Sequence, residues 1–102
     1  MTLTGSHLIA GRESAPHGHF YHGVNPATSA KLEPAYADAT KDEADEALCA
    51  AEGAFDALRL APVETRAALL DAIADEIMAL GDALLERAHA ETGLPMARVT
   101  GE

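Results

Sequence analysis

From Thr40 onward the apolar positions fall on a helical period. Ala44, Ala47, Leu48, Ala51, Phe55 and Leu58 follow the i, i+3, i+4, i+7, i+11, i+14 spacing of a single helix face. Thr40-Lys41-Asp42-Glu43 has the form of a capping box, in which the Thr hydroxyl meets the backbone N–H three residues on and the Glu carboxylate reaches back. The acidic run Asp42, Glu43, Asp45 and Glu46 places negative charge at the positive end of the helix dipole. Pro62 suits the first turn of a second helix. The stripe then continues through Ala67, Leu70, Ile73, Ala74, Ile77 and Leu80 to Gly81. Asp82 is a good N-cap for a third helix through Leu84, Leu85 and Ala88 to Thr92. Gly93 and Pro95 form a stop signal, and Pro95 can open a fourth helix through Met96, Ala97 and Val99. That last pattern has no C-cap before Glu102, so the chain reads as the front part of something longer.

Residues 1–39 have a different pattern. Gly5, Gly11, Gly18, Gly23, Pro16, Pro26 and Pro34 break helical periodicity and mark turns between short extended pieces. His7-Leu8-Ile9-Ala10-Gly11 reads as one strand and His19-Phe20-Tyr21-His22 as a second. With Gly11 to Gly18 as the connection, the two form a candidate hairpin. A third extended piece runs through Lys31 to Ala37, where Pro34 favours an edge position. The pattern predicts a mainly α chain, with an extended or hairpin segment over 1–39 and three to four helices over 40–102. Together the two segments read as an incomplete portion of one domain.

Composition narrows the function classes. The 102 residues carry 7 Lys and Arg against 17 Asp and Glu, a formal net charge of −10. That balance lacks the basic footprint of a nucleic-acid binder and would be repelled by an anionic membrane surface. Hydrophobic residues make up 48%, but alanine is their largest contributor and only 4% of residues are aromatic. Alanine buries little area, so the core available to the chain alone is thin. One cysteine excludes an intrachain disulfide framework, and the N-terminus has neither a basic n-region nor a long apolar stretch. The expected location is cytoplasmic.

Candidate chemistry is sparse. His17, His19 and His22 form an H-x-H-x-x-H cluster, with His7 upstream, and imidazole binds zinc, copper or nickel. On a strand, however, His17 and His19 point to one face and His22 to the other, and no carboxylate or Cys lies beside them in sequence. They read as surface histidines with no metal. Cys49 lies inside the first helix near Glu46 and Glu52, whose charge opposes thiolate formation, so it reads as a structural thiol. The Asp42 to Glu46 run lacks the loop of a calcium hand and reads as a solvated helix start. No G-x-G-x-x-G, phosphate loop or G-x-S-x-G occurs. The chain itself has no predicted catalytic, cofactor-binding or metal-binding residue.

Several segments, taken in order, resemble the N-terminal part of the aldehyde dehydrogenase superfamily. They are Ile9-Ala10-Gly11, Val24-Asn25-Pro26-Ala27-Thr28, Ala39-Thr40, Ala47 to Phe55 (ALCAAEGAF), Arg66-Ala67-Ala68-Leu69-Leu70 with Ile73-Ala74, and Glu91-Thr92-Gly93. Leu32-Glu33-Pro34-Ala35-Tyr36 and the stretch from Glu91 to Glu102 are further similar to the 2-oxoglutarate semialdehyde (2,5-dioxovalerate) dehydrogenases within it. Leu94 stands where many other members have Lys. The resemblance covers the chain from about Leu8 to Glu102. It implies the leading part of an α/β fold that packs around a cofactor-binding domain. It also implies a complete enzyme that is a homo-oligomer and oxidises an aldehyde with NAD or NADP by thiohemiacetal formation, hydride transfer and thioester hydrolysis. The family's nucleophilic Cys, general-base Glu, oxyanion-hole Asn, cofactor-binding Lys and Gly-rich turn all fall beyond the position of Glu102, and Cys49 does not match the nucleophile's motif. The partner implied is therefore the remainder of such a chain. The alternative reading is a small non-catalytic helical module that associates through its apolar stripes.

Overall fold

The computed structural model describes residues 2–102. The strands all precede residue 38 and the helices all follow residue 40. β1 (Leu8–Ile9) and β2 (Arg12–Glu13) pair antiparallel, with Leu8 opposite Glu13 and Ile9 opposite Arg12. Ala10 and Gly11 make the two-residue turn with φ of +51° and +75°, the left-handed pair whose twist suits a tight hairpin. The Ser14 N–H donates to the His7 carbonyl at 3.0 Å and extends the ladder.

The hairpin expected between His7–Gly11 and His19–His22 is therefore corrected. A turn at Ala10-Gly11 closes a much shorter loop than one over Gly11 to Gly18, at lower entropic cost. The second segment takes a different partner. β3 (Phe20–Val24) pairs antiparallel with β4 (Lys31–Ala37), placing Tyr21 opposite Tyr36 with ring centroids 6.0 Å apart. The Asn25 side chain organises the connection, its Oδ1 accepting from the Ala27 N–H at 2.9 Å. The register shifts between Tyr21 and Gly23. Pro34 falls in that irregular stretch, where its missing N–H costs no ladder bond. Gly5, at φ +74°, lies so close to β4 that a Cβ there would stand 2.1 Å from the Ala35 carbonyl oxygen, so only glycine fits.

The helices follow the predicted pattern with small shifts at their ends. α1 (Lys41–Leu60) carries the complete capping box. The Glu43 N–H donates to Thr40 Oγ1 at 3.1 Å, and the Thr40 N–H donates to Glu43 Oε2 at 2.8 Å. α2 (Val63–Ala79) starts just after Pro62, which occupies the N-cap rather than the first turn. Between the two, Arg66 Nη1 donates to the carbonyls of Arg59 and Ala61 at 3.2 and 3.1 Å. It thereby satisfies acceptors that the end of α1 leaves open. α3 (Gly81–Thr92) begins one residue before the expected Asp82 cap, with Leu80 shared between the two helices. Gly81 makes the bend itself at φ +56°, so Asp82 lies in the first turn and makes no capping bond. Gly93 ends α3 in the left-handed region, as expected, and Pro95 leads into α4 (Met96–Gly101).

Packing between these elements is thin. Among the described residues Ala37 is the only buried hydrophobic side chain, and no helix buries a residue. The radius of gyration is 17.0 Å, against roughly 13 Å for a compact domain of this length. The accessible surface is 7654 Å², about 2,200 Å² above the value expected for a globular monomer of this mass. α1 lies against β1, and Arg12 Nη2 of the neighbouring β2 donates to Glu46 Oε1 at 2.6 Å. α3 lies against β3 and α4. α2 stands almost free, with Leu70 and Met78 at 68% and 78% exposure.

The capping box gives the first prediction. Thr40→Ala removes an N-cap that is typically worth about 1 kcal/mol to its helix, and circular dichroism should show lower helicity at neutral pH. Glu43 is held below its usual pKa of 4.5, chiefly by the Thr40 N–H donated to its carboxylate, with the Thr40 hydroxyl and His17 assisting. A lowered folded-state pKa gives stability that is present above 4.5 and lost as pH falls through the folded value. Acidification below that point should therefore cost the natural chain more helicity than it costs a Glu43→Gln chain, which has no carboxylate there to protonate. Parallel acid titration curves for the two would contradict this assignment.

Candidate functional site

His17, His19 and His22 lie on and around the β3–β4 hairpin, and each finds a carboxylate. His17 Nε2 lies 3.5 Å from Glu43 Oε1 at the start of α1. His19 Nδ1 lies 2.9 Å from Asp38 Oδ2 just beyond β4. His22 Nδ1 lies 3.3 Å from the Leu32 carbonyl oxygen and 3.7 Å from Glu33 Oε1. The expectation that they lack acidic neighbours is thus corrected, because Glu43, Asp38 and Glu33 are remote in sequence and arrive only through strand pairing and the helix start. The carboxylates are three separate ones, however. Among the described residues no three His, Cys, Asp or Glu side chains converge as metal ligands. His7 remains apart, its buried Nε2 without a hydrogen-bond partner among the described residues.

Cys49 is exposed on α1. Its expected structural role therefore has no packing behind it in this chain. Asp42 and Glu43 occupy the first turn of α1 as the sequence predicts, and the Glu43 carboxylate already takes the Thr40 N–H.

One side chain that the sequence reading did not single out ties two elements together. Arg87 of α3 donates from Nε to Glu91 Oε1 at 2.6 Å and from Nη1 to the Glu33 carbonyl of β4. Its side chain is only 17% exposed. The i, i+4 spacing of Arg87 and Glu91 was readable, whereas the reach to Glu33, 54 positions away, was not. The result is a structural bracket between helix and hairpin.

A dinucleotide does not fit the residues described. Both sheets are antiparallel pairs, so no strand leads into a helix through the parallel crossover that seats a pyrophosphate. The one fully capped helix start presents Asp42 and Glu43, which would repel phosphate. No helix is long and apolar enough to cross a membrane among the described residues.

Comparison with known proteins identifies the family of this chain. Residues 13–102 match the profile of the aldehyde dehydrogenase family. The chain belongs to that family. It is similar to alpha-ketoglutaric semialdehyde dehydrogenase 2 of Azospirillum brasilense, with 47% identity over 103 aligned positions, covering 100% of this chain and 20% of the relative. It is also similar to alpha-ketoglutaric semialdehyde dehydrogenase of Acinetobacter baylyi (strain ATCC 33305 / BD413 / ADP1), at 36% identity over 98 positions, covering 96% of this chain and 19% of that protein. No solved structure gives a significant match. The chain is thus an N-terminal aldehyde dehydrogenase segment spanning about a fifth of the length of the curated relatives it matches. The four helices and two small strand pairs agree with a mainly α leading portion of that fold.

The separation of the histidines predicts the outcome of a metal titration. Calorimetry with zinc or nickel should show no saturable site, and His19→Ala should leave the trace unchanged. A stoichiometric heat abolished by that substitution would show that the hairpin gathers ligands after all.

Proposed function

We propose that this chain is the N-terminal segment of an NAD- or NADP-dependent aldehyde dehydrogenase that oxidises a 2-oxo acid semialdehyde to the carboxylate. On this reading residues 1–39 and 40–102 are parts of one incomplete domain, and the 102 residues by themselves turn over nothing. The observation that carries it is the 47% identity over the whole chain to an alpha-ketoglutaric semialdehyde dehydrogenase. The stretch from Glu91 to Glu102, read independently as similar to that group, supports the same substrate. The complete enzyme is read as a cytoplasmic homo-oligomer, and none of the chemistry is assigned to His17, His19, His22 or Cys49. A non-catalytic association module is the second reading, favoured by the exposed stripe of α2.

The test compares the chain alone with the chain joined to the remaining four-fifths of the Azospirillum relative. Reduction of NAD+ or NADP+ with alpha-ketoglutaric semialdehyde should be absent in the first and present in the second. Turnover by the isolated chain would overturn the assignment of an inactive segment. A joined protein that melts cooperatively yet prefers an unrelated aldehyde would overturn the substrate.

A further inference from the structure

The connection between β2 and β3 is fastened at its two ends and loose in its middle. At one end the Ser14 N–H donates to the His7 carbonyl at 3.0 Å, and at the other the Asp38 N–H donates to the His19 carbonyl at 2.9 Å. Between them, among the described residues, the one polar tie of residues 15–18 is His17 Nε2 to Glu43 Oε1 at 3.5 Å. Glu43 is unlike its neighbours on α1. Its side chain is only 13% exposed, whereas every other residue from 41 to 49 is fully exposed. Its carboxylate uses both oxygens, Oε2 accepting from the Thr40 N–H at 2.8 Å while Oε1 faces His17. The buried Ser14 hydroxyl lies beside it. One side chain therefore caps α1 and anchors the connection.

We propose that residues 14–19 form a pH-gated strap over the start of α1, held shut by an ion pair between the His17 imidazolium and the Glu43 carboxylate. The two partners set opposite limits. Glu43 is held below its usual 4.5 first by the Thr40 N–H, then by the Thr40 hydroxyl, His17 and Ser14. A lowered folded-state value makes closure available above 4.5 and withdraws it as pH falls through that value. An imidazole ordinarily carries its charge below a pH of about 6.5, so the attraction fades as pH rises past that range. Closure is strongest in the window between and relaxes on both sides. The other charges around the pair are engaged elsewhere. β2 brings Arg12, which is held by Glu46 at 2.6 Å, with Glu13 beside them. His19 is held by Asp38 at 2.9 Å. His7, behind Ser14, has its Nε2 buried. Lys41 and Asp42, adjoining Glu43 on α1, carry opposite charges.

A broad-specificity protease cuts the connection when it is open, so the cleavage rate tracks the open population. Cleavage is followed from about pH 4 to about pH 8, relative to a synthetic peptide of residues 13–20, with helicity read by circular dichroism on the same samples. The natural chain should be cut most slowly near about pH 5.5 and roughly two- to threefold faster at either end, as a single partly exposed pair allows. His17→Gln should lose the alkaline rise and keep the acid one. Glu43→Gln should be cut at the faster rate throughout. A flat profile in the natural chain would overturn the strap, and so would an alkaline rise that survives in His17→Gln. A second measurement needs no substitution. Nuclear Overhauser contacts between the His17 ring and the Glu43 side chain should be strongest inside the window and weaken on both sides. Contacts that are absent, or that stay constant with pH, would overturn the proposal on the natural chain alone.

Discussion

Helices shorter than about 15 residues are marginal in water on their own, because most helical stability in proteins comes from burying an apolar face. Here α3 has 12 residues and α4 has 6, and none of the four helices buries a side chain within the chain. Everything else about the structure follows from that shortfall. The elements are formed by local devices: a capping box at Thr40, a two-residue turn at Ala10-Gly11, an Asn25 loop and a glycine stop at Gly93. The links between them are mostly exposed ion pairs such as Arg12–Glu46, each worth about 0–1 kcal/mol.

What the sequence made legible divides along the same line. The helix starts and stops could be read because capping and left-handed glycines act over three or four residues. Strand pairing could not, since His19–His22 and Lys31–Ala37 find one another through a turn whose closure competes with an alternative partner. The same distance effect hid the carboxylates of the histidines. Glu43, Asp38 and Glu33 become neighbours only once β3, β4 and α1 are in place. The link from Arg87 to Glu33 was invisible for the same reason, although its pairing with Glu91 was plain from spacing.

Family membership over residues 13–102 and coverage of only a fifth of each relative make this chain a short N-terminal segment beside relatives about five times its length. The net charge of −10 describes a solvated surface, and the apolar stripes of the helices remain exposed beside it.

The Arg66 side chain carries a consequence for assembly. By tying two carbonyls at the end of α1 to the start of α2, it fixes an angle between the two longest helices without needing any side chain to be buried between them. The corner is encoded within eight residues. The α2 stripe is therefore held at a set inclination before anything covers it, and the ordering that association normally demands is partly complete in advance.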